Sequence, residues 1–436
     1  MAQNAFSPSL NSRIGSLCGQ KPLIACHTGS WMCTRVFYGW WIVTGCLIAT
    51  LMGNALGFYG AGVYLHAVAE SKGWPTGLVS GAVTLFYMTS ALLLIPVGSA
   101  ISRLGPGPVI GLGAFATAVG VAGIGRAGEL WQAYGAFLVM GIGWASLSMT
   151  AIATTLAPWF ERYQGRAISI ASLGASVGGM AGVPALLFGI RRVGFGVTTT
   201  VAAVAVIAVL LPLACFVLKR RPQDLGLLPD GETPRRTVGT NGASHWTRAE
   251  ALRTNALRSV VATFGIGMMV QIGFLTHQVT LILPSLGVSG TSTTVAATAI
   301  AALLGRLVLT RFADQINERT MAAAVLALAA TALTMLALLP APMVLVGGSV
   351  LFGLAVGNVT TLSPIIIRRE FGAVSFGAIF GTASSGIQLT AALGPSLFGL
   401  LHDVSGSYRL PLLIGAMLDI VAATTIACSA PRQSGH

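Results

Sequence analysis

Arg306 is the single charge in an apolar run from Val295 to Leu309. A guanidinium in such a setting can grip a carboxylate through two parallel N–H···O bonds of fixed geometry. If the run crosses a membrane, an arginine there costs at least about 2.5–3.5 kcal/mol, so it is expected to face a cavity or a partner. The alternative is an arginine whose head snorkels to the interface beside Arg311.

The other polar groups in apolar runs are few. His277 can titrate near neutral pH and offers a substrate or proton contact; the alternative is a histidine at the outer interface. Gln271 lies six residues earlier, about 240° around a helix, so the two cannot share a face. Asp419 is an intramembrane acid and a candidate for proton coupling, against a hydrogen-bonded structural acid or one at an oligomer contact. Asn54, Tyr59, Asn358, Ser384, Ser385 and Gln388 can line a pathway or simply bond neighbouring helices. Gly174, Gly178 and Gly182 follow the small-xxx-small pattern of close helix packing and lack the strand-and-loop setting of a phosphate site. The six cysteines contain no CxxC pair and read as small hydrophobes. Neither a metal-ligand cluster nor a hydrolase-type nucleophile set stands out, so no enzyme activity, cofactor or metal is expected.

The elements that must position these groups follow from composition. Hydrophobic residues make up 54% of the 436 and charged residues 8%, against about 25% charged in a soluble domain. Twelve stretches reach the roughly 20 apolar residues that a membrane helix needs. They run near 38–66, 75–102, 108–128, 131–158, 165–190, 195–218, 257–283, 290–312, 319–340, 343–368, 374–402 and 409–430. The one long polar connection, 219–256, divides them six plus six. The expected organisation is a cytoplasmic N-terminal tail without fixed structure (1–36), a six-helix bundle (37–218), a cytoplasmic central loop (219–256), a second bundle (257–430) and a short cytoplasmic tail (431–436). Residues 1–36 lack the apolar core and small-residue cleavage site of a signal peptide.

The net charge of +13 does not indicate nucleic acid, because the bases lie between apolar runs. With the N-terminus inside, nineteen of the 25 bases fall in inner segments and five (Lys72, Arg126, Arg191, Arg192, Arg409) in outer ones. That asymmetry places both termini and the central loop in the cytoplasm, with the Arg191–Arg192 pair as an exception. A repeat supports the division. Gly98, Arg103 and Gly105 after the second stretch, and Asp314 and Arg319 after the eighth, fit one template, Gly-xxx-Asp-Arg-x-Gly-x-Arg. Duplicated halves give such pairs, and these charges could lock and release the halves at the cytoplasmic mouth.

From Phe37 to Pro431 the chain resembles the major facilitator superfamily, and within it the monocarboxylate transporter and oxalate/formate antiporter branch. The resemblance is carried by Tyr38-Gly39-Trp40-Trp41-Ile42-Val43; by Trp159-Phe160-Glu161-Arg162 with Gly165-Arg166-Ala167; and by Arg221-Pro222, Asp224, Gly226-Leu227 and Pro229-Asp230-Gly231. Further along it rests on Gly305-Arg306, Phe371-Gly372, Phe376-Gly377, Gly394-Pro395, Asp403 and Gly406-Ser407-Tyr408. Departures are Ser102 for the template aspartate, Ala302 one turn before the arginine, Ser385 where oxalate-type antiporters carry lysine, and Met149 near a missing helix-four tyrosine.

The resemblance implies an all-α membrane protein with twelve transmembrane helices in two pseudo-symmetric six-helix bundles. It implies that Arg306 anchors a substrate carboxylate. One deep base without a second points to a small monocarboxylate of the lactate or pyruvate kind. Transport is expected by alternating access, through proton symport or anion exchange, by a multi-pass monomer in a cell membrane, most simply a bacterial inner membrane. The expected partners are a small organic anion, a proton or counter-anion, and the lipid bilayer. The rival functions are export of drugs or other hydrophobic solutes, and a transporter-like membrane sensor.

Overall fold

The computed structural model describes residues 37–222, Leu225, Leu228, Asp230, and residues 247–312, 317–339 and 341–429. Both tails, Asp314 and most of the 219–256 segment lie outside the described residues.

Long apolar runs give helices across the described residues. Among the described residues, ten are long and apolar enough to cross a membrane. One, spanning Asn255–Val308, is two helices folded back at Gly287 (φ 61°, ψ −175°). A second fold at Gly372 (φ 77°, ψ 167°) divides Pro342–Ala391. Only glycine adopts this backbone region without strain, so both joints close with almost no loop. The transmembrane helices are α1 (Tyr38–Lys72), α2 (Thr76–Leu104), α3 (Pro106–Ile124), α4 (Leu130–Leu156), α5 (Gln164–Val193) and α6 (Phe195–Val217). The second set is α7 (255–286), α8 (288–312), α9 (Glu318–Leu338), α10 (342–371), α11 (373–405, broken by a turn at Ala392–Leu393) and α12 (Arg409–Cys428).

The helices differ from the expected stretches mainly at their ends and in internal breaks. The first stretch was expected to stop near 66, but α1 continues to Lys72 and ends on Gly73 in the left-handed conformation, which suits a helix terminus. A π-turn, Asn54–Phe58, interrupts it. The fourth stretch breaks after Ala145, and Ser148 caps the next segment by accepting from the Ala151 N–H at 3.4 Å. Apolar content alone does not register such breaks.

Because successive helices run in opposite directions, the chain has two ends across the membrane layer. The near end holds Phe37, the α2–α3, α4–α5 and α10–α11 joints and residue 429. The far end holds the α1–α2, α3–α4, α5–α6, α7–α8, α9–α10 and α11–α12 joints.

Within the first half, α5 lies directly on α1. A Cβ added at Gly178 would sit 2.7 Å from the Leu51 carbonyl oxygen, and one at Gly182 2.6 Å from the Ala55 Cβ. Gly174 abuts the Leu47 carbonyl. The three glycines therefore form one stripe that brings two backbones together, as their spacing predicts. In the second half, Arg319 is buried at the near end. Its Nε and Nη2 donate to the Glu370 carboxylate at 2.7 and 3.0 Å, its Nη1 to Ser259 Oγ at 3.1 Å, and its Nη2 to the Ala256 carbonyl at 3.3 Å. Glu318 beside it pairs with Arg369.

Candidate functional site

Arg306 is half-buried in α8, facing α10. Its Nε donates to the Gly357 carbonyl at 3.0 Å. Gly357 is where the arginine stem crosses α10: a Cβ added there would meet Arg306 Cγ at 2.8 Å. Holding Nε fixes the plane of the guanidinium. Its two Nη atoms make no hydrogen bond among the described residues, so the paired donors that suit a carboxylate remain available. Ala302, one turn earlier, is buried, and its carbonyl also lies against Gly357. A longer polar side chain at 302 would have to displace that helix contact.

Tyr59, in the other half, lies within electrostatic reach of Arg306. Tyr59 follows the π-turn directly, and its N–H bonds the Asn54 carbonyl five residues back at 2.9 Å. π-Turns recur at functional sites because they swing the next side chain out of register. The Tyr59 ring lies over Gly179, where an added Cβ would come within 2.7 Å of it. Phe58, Tyr87, Phe86 and Trp144 pack behind it edge to face or tilted, with centroids 4.7–6.1 Å apart. The Tyr87 hydroxyl donates to the Phe58 carbonyl at 3.0 Å. Arg306 and Tyr59 thus stand on opposite halves.

The remaining expected residues divide by what they bond. Asn358 is buried beside Gly305; its Nδ2 donates to the Leu354 carbonyl at 2.9 Å, and its Oδ1 has no protein partner. Asn54 and Ser385 are satisfied within their own helices, at the Thr50 and Gly381 carbonyls. Ser384 and Gln388 are half-buried, with side chains that make no hydrogen bond among the described residues. Gln271 is buried, with Oε1 unpartnered.

His277 shares no partner with Arg306. It lies in a seam where the halves meet at the far end. Its Nδ1 is 3.0 Å from the Tyr408 hydroxyl, and its Nε2 is 3.1 Å from the Pro395 carbonyl and 3.2 Å from Ser80 Oγ. The Pro395 carbonyl can only accept, so in the neutral imidazole the proton sits on Nε2 and the Tyr408 hydroxyl donates to Nδ1. The same seam holds two further bonds between the halves. Asp403 Oδ2 accepts the Gly77 N–H at 2.7 Å, in the first turn of α2. The Ser396 N–H donates to Thr84 Oγ1 at 3.1 Å, and the two hydroxyls are 2.8 Å apart. A carboxylate at a helix N-terminus satisfies an orphan donor and opposes the helix dipole.

Asp419 is buried inside the second half rather than on its lipid-facing rim. Its Oδ1 has no partner and lies about 4.0 Å from the position of a Cβ added at Gly267 in α7. Of the loop-template residues, Arg103 is exposed and its carbonyl accepts from Arg221 Nη2 at 3.0 Å. Gly105 lies against the same Arg221 guanidinium, while a Cβ added at Gly98 would meet only Thr154 Oγ1, at 3.9 Å. Arg319 binds only residues of its own half, and Asp314 lies outside the described residues.

Sequence reading missed two features. One is the seam formed by Ser80, Thr84 and Ser396. The other is Asp230, whose carboxylate accepts the N–H groups of Glu161, Arg162 and Tyr163 at 3.0, 2.7 and 3.4 Å. The signal for the second was present: both segments carry the resemblance.

The comparisons agree with this architecture. Residues 46–346, and in a second overlapping match 279–434, fit the profile of the Major Facilitator Superfamily. No curated protein matches in sequence. Among solved structures, the fold is similar to a bacterial homolog of the human lysosomal transporter Spinster in an inward-facing and occupied conformation. The TM-score is 0.71 at 14% identity, over 91% of this chain and 97% of that one. The same homolog in an inward-facing and unoccupied conformation gives 0.65 at 14% identity, over 90% and 95%. Twelve helices in two halves, with polar groups converging between them, accord with the profile match: the chain belongs to the Major Facilitator Superfamily, a multi-pass membrane transporter of small molecules.

Proposed function

We propose that the chain is a secondary active transporter of a small monocarboxylate, of the lactate or pyruvate kind, with Arg306 as the carboxylate anchor. The observation that carries this reading is the guanidinium held at Nε by Gly357, with its Nη pair unbonded among the described residues and Tyr59 of the other half within its electrostatic reach. Carboxylate binding at Arg306 with a second contact to the Tyr59 hydroxyl would draw the halves together. That is the differential contact alternating access requires.

The near end is taken as cytoplasmic because most bases lie there, which suits a bacterial inner membrane with both termini inside. On that orientation the bonded far-end seam is the closed outer gate, with His277 as one of its pins. Coupling is by proton symport or by exchange with a counter-anion, and Asp419 is the buried acid available to the proton route. Asn358, Ser384 and Gln388 supply further polar contacts to the substrate.

Flux of labelled lactate, pyruvate and related acids into proteoliposomes tests the reading, with an imposed pH gradient in one arm and internal counter-anion in the other. Saturable flux of at least one monocarboxylate in either arm is expected. No flux in both arms, together with flux of a cationic or uncharged hydrophobic solute, would overturn it in favour of an exporter of that class.

A further inference from the structure

A cavity away from Arg306 lies in the first half. It has a volume of about 510 Å³ and opens at the far end, where the α3–α4 joint meets the α5–α6 joint. Arg126, Gly194 and Thr200 line it with a valine wall, Val193, Val197 and Val201. Arg126 is exposed, with only its own Ala122 carbonyl at 3.4 Å from Nη1. Arg191 and Arg192 are exposed in the last turn of α5, next to Val193. None of the three makes an ion pair among the described residues. The nearby acid, Glu129, is occupied by Trp131 Nε1 at 2.5 Å.

These three arginines are most of the bases on the face that topology depletes of them. Arg126 lines the cavity, and Arg191 and Arg192 immediately precede its Val193 in the chain, so bases at this corner of the far end call for a local cause. We propose that this pocket binds the headgroup of an anionic phospholipid, with its acyl chains running over the valine wall. The depth fits: Trp131 is 69% exposed, and exposed tryptophan marks the headgroup level of a bilayer. The shape fits as well. Val197, Val201 and Val204 are 54–61% exposed down α6, and Phe115 and Val119 are exposed on α3, so apolar ridges lead from the arginines into the hydrocarbon layer. The first N–H groups of α6 also lack a side-chain cap at Gly194, and they add donors for a phosphodiester.

The test uses detergent-purified full chain with native mass spectrometry and thermal melting. The probes are dioleoyl-phosphatidylglycerol, dioleoyl-phosphatidylcholine and soluble glycerol 3-phosphate. Phosphatidylglycerol is expected to be retained about tenfold more than phosphatidylcholine, on the strength of three basic side chains at an anionic headgroup. The triple variant R126Q/R191Q/R192Q should lose that preference, and Lys72→Gln, a far-end base outside the pocket, should keep it. Val201→Trp fills the pocket without changing charge and should lower retention, which guards against misfolding of the triple variant. Equal retention of the two lipids, an unchanged triple variant, or equal loss in Lys72→Gln would overturn the proposal. So would full competition by glycerol 3-phosphate, which would mean a site for free anions. None of these readouts depends on what the transporter carries.

Discussion

At the residue scale, binding at position 306 depends on how a guanidinium differs from other cations. Arg306→Lys keeps the charge but cannot both bond the Gly357 carbonyl and present a planar pair of donors. Substrate affinity should fall about tenfold, the loss of one charge-assisted bond, measured as the concentration giving half-maximal thermal stabilisation. Tyr59→Phe should cost about 1 kcal/mol of binding, one neutral hydrogen bond, seen in the same titration with unfolding in the absence of ligand unchanged. Identical titrations for wild type and Tyr59→Phe would remove that hydroxyl from the site. Arg306 was legible in the sequence because a charge in an apolar run has few innocent explanations. Tyr59 was legible only as one polar residue among six. What distinguishes it is the π-turn at Asn54–Phe58, and no residue type announces a π-turn.

At the element scale, helix count and division followed from apolar length, and the α1–α5 contact followed from the glycine spacing. Gly178→Leu should separate these helices, since even a Cβ meets the Leu51 carbonyl at 2.7 Å. A clear fall in the unfolding midpoint is expected, and an unchanged midpoint would contradict the stripe. Arg319 illustrates what the sequence hid. The loop template suggested a lock between halves, but its bonds to Glu370, Ser259 and Ala256 hold the near ends of α9, α10 and α7 within one half. Removing one partner of a buried pair costs about 3–5 kcal/mol. Arg319→Ala should therefore lower stability by about that much, read as a reduced unfolding midpoint with substrate affinity retained.

At the scale of the whole molecule, the halves are joined at the far end by contacts between residues hundreds of positions apart, such as Asp403 with Gly77. Pairing at that separation leaves no local pattern, which is why the seam was not legible although Asp403 and Tyr408 were noticed. Asp403→Asn should weaken a charge-assisted bond worth about 1.5–3 kcal/mol and shift the balance toward a far-open state by roughly ten- to a hundredfold. Spin-label distances between positions 72 and 405, in a cysteine-free background, would report this as a longer population. The same distance distribution in wild type and variant would mean that the seam is not a gate.

The central claim is that Arg306 holds the carboxylate of the transported anion. A thermal-shift screen of organic acids on wild type and Arg306→Ala is the sharpest test, because a ligand bound to the folded state raises the unfolding midpoint, with the logarithm of its concentration over its Kd. Stabilisation of the wild type by one or more monocarboxylates, with none in Arg306→Ala, is expected. Equal stabilisation of both proteins by the same acid would contradict it.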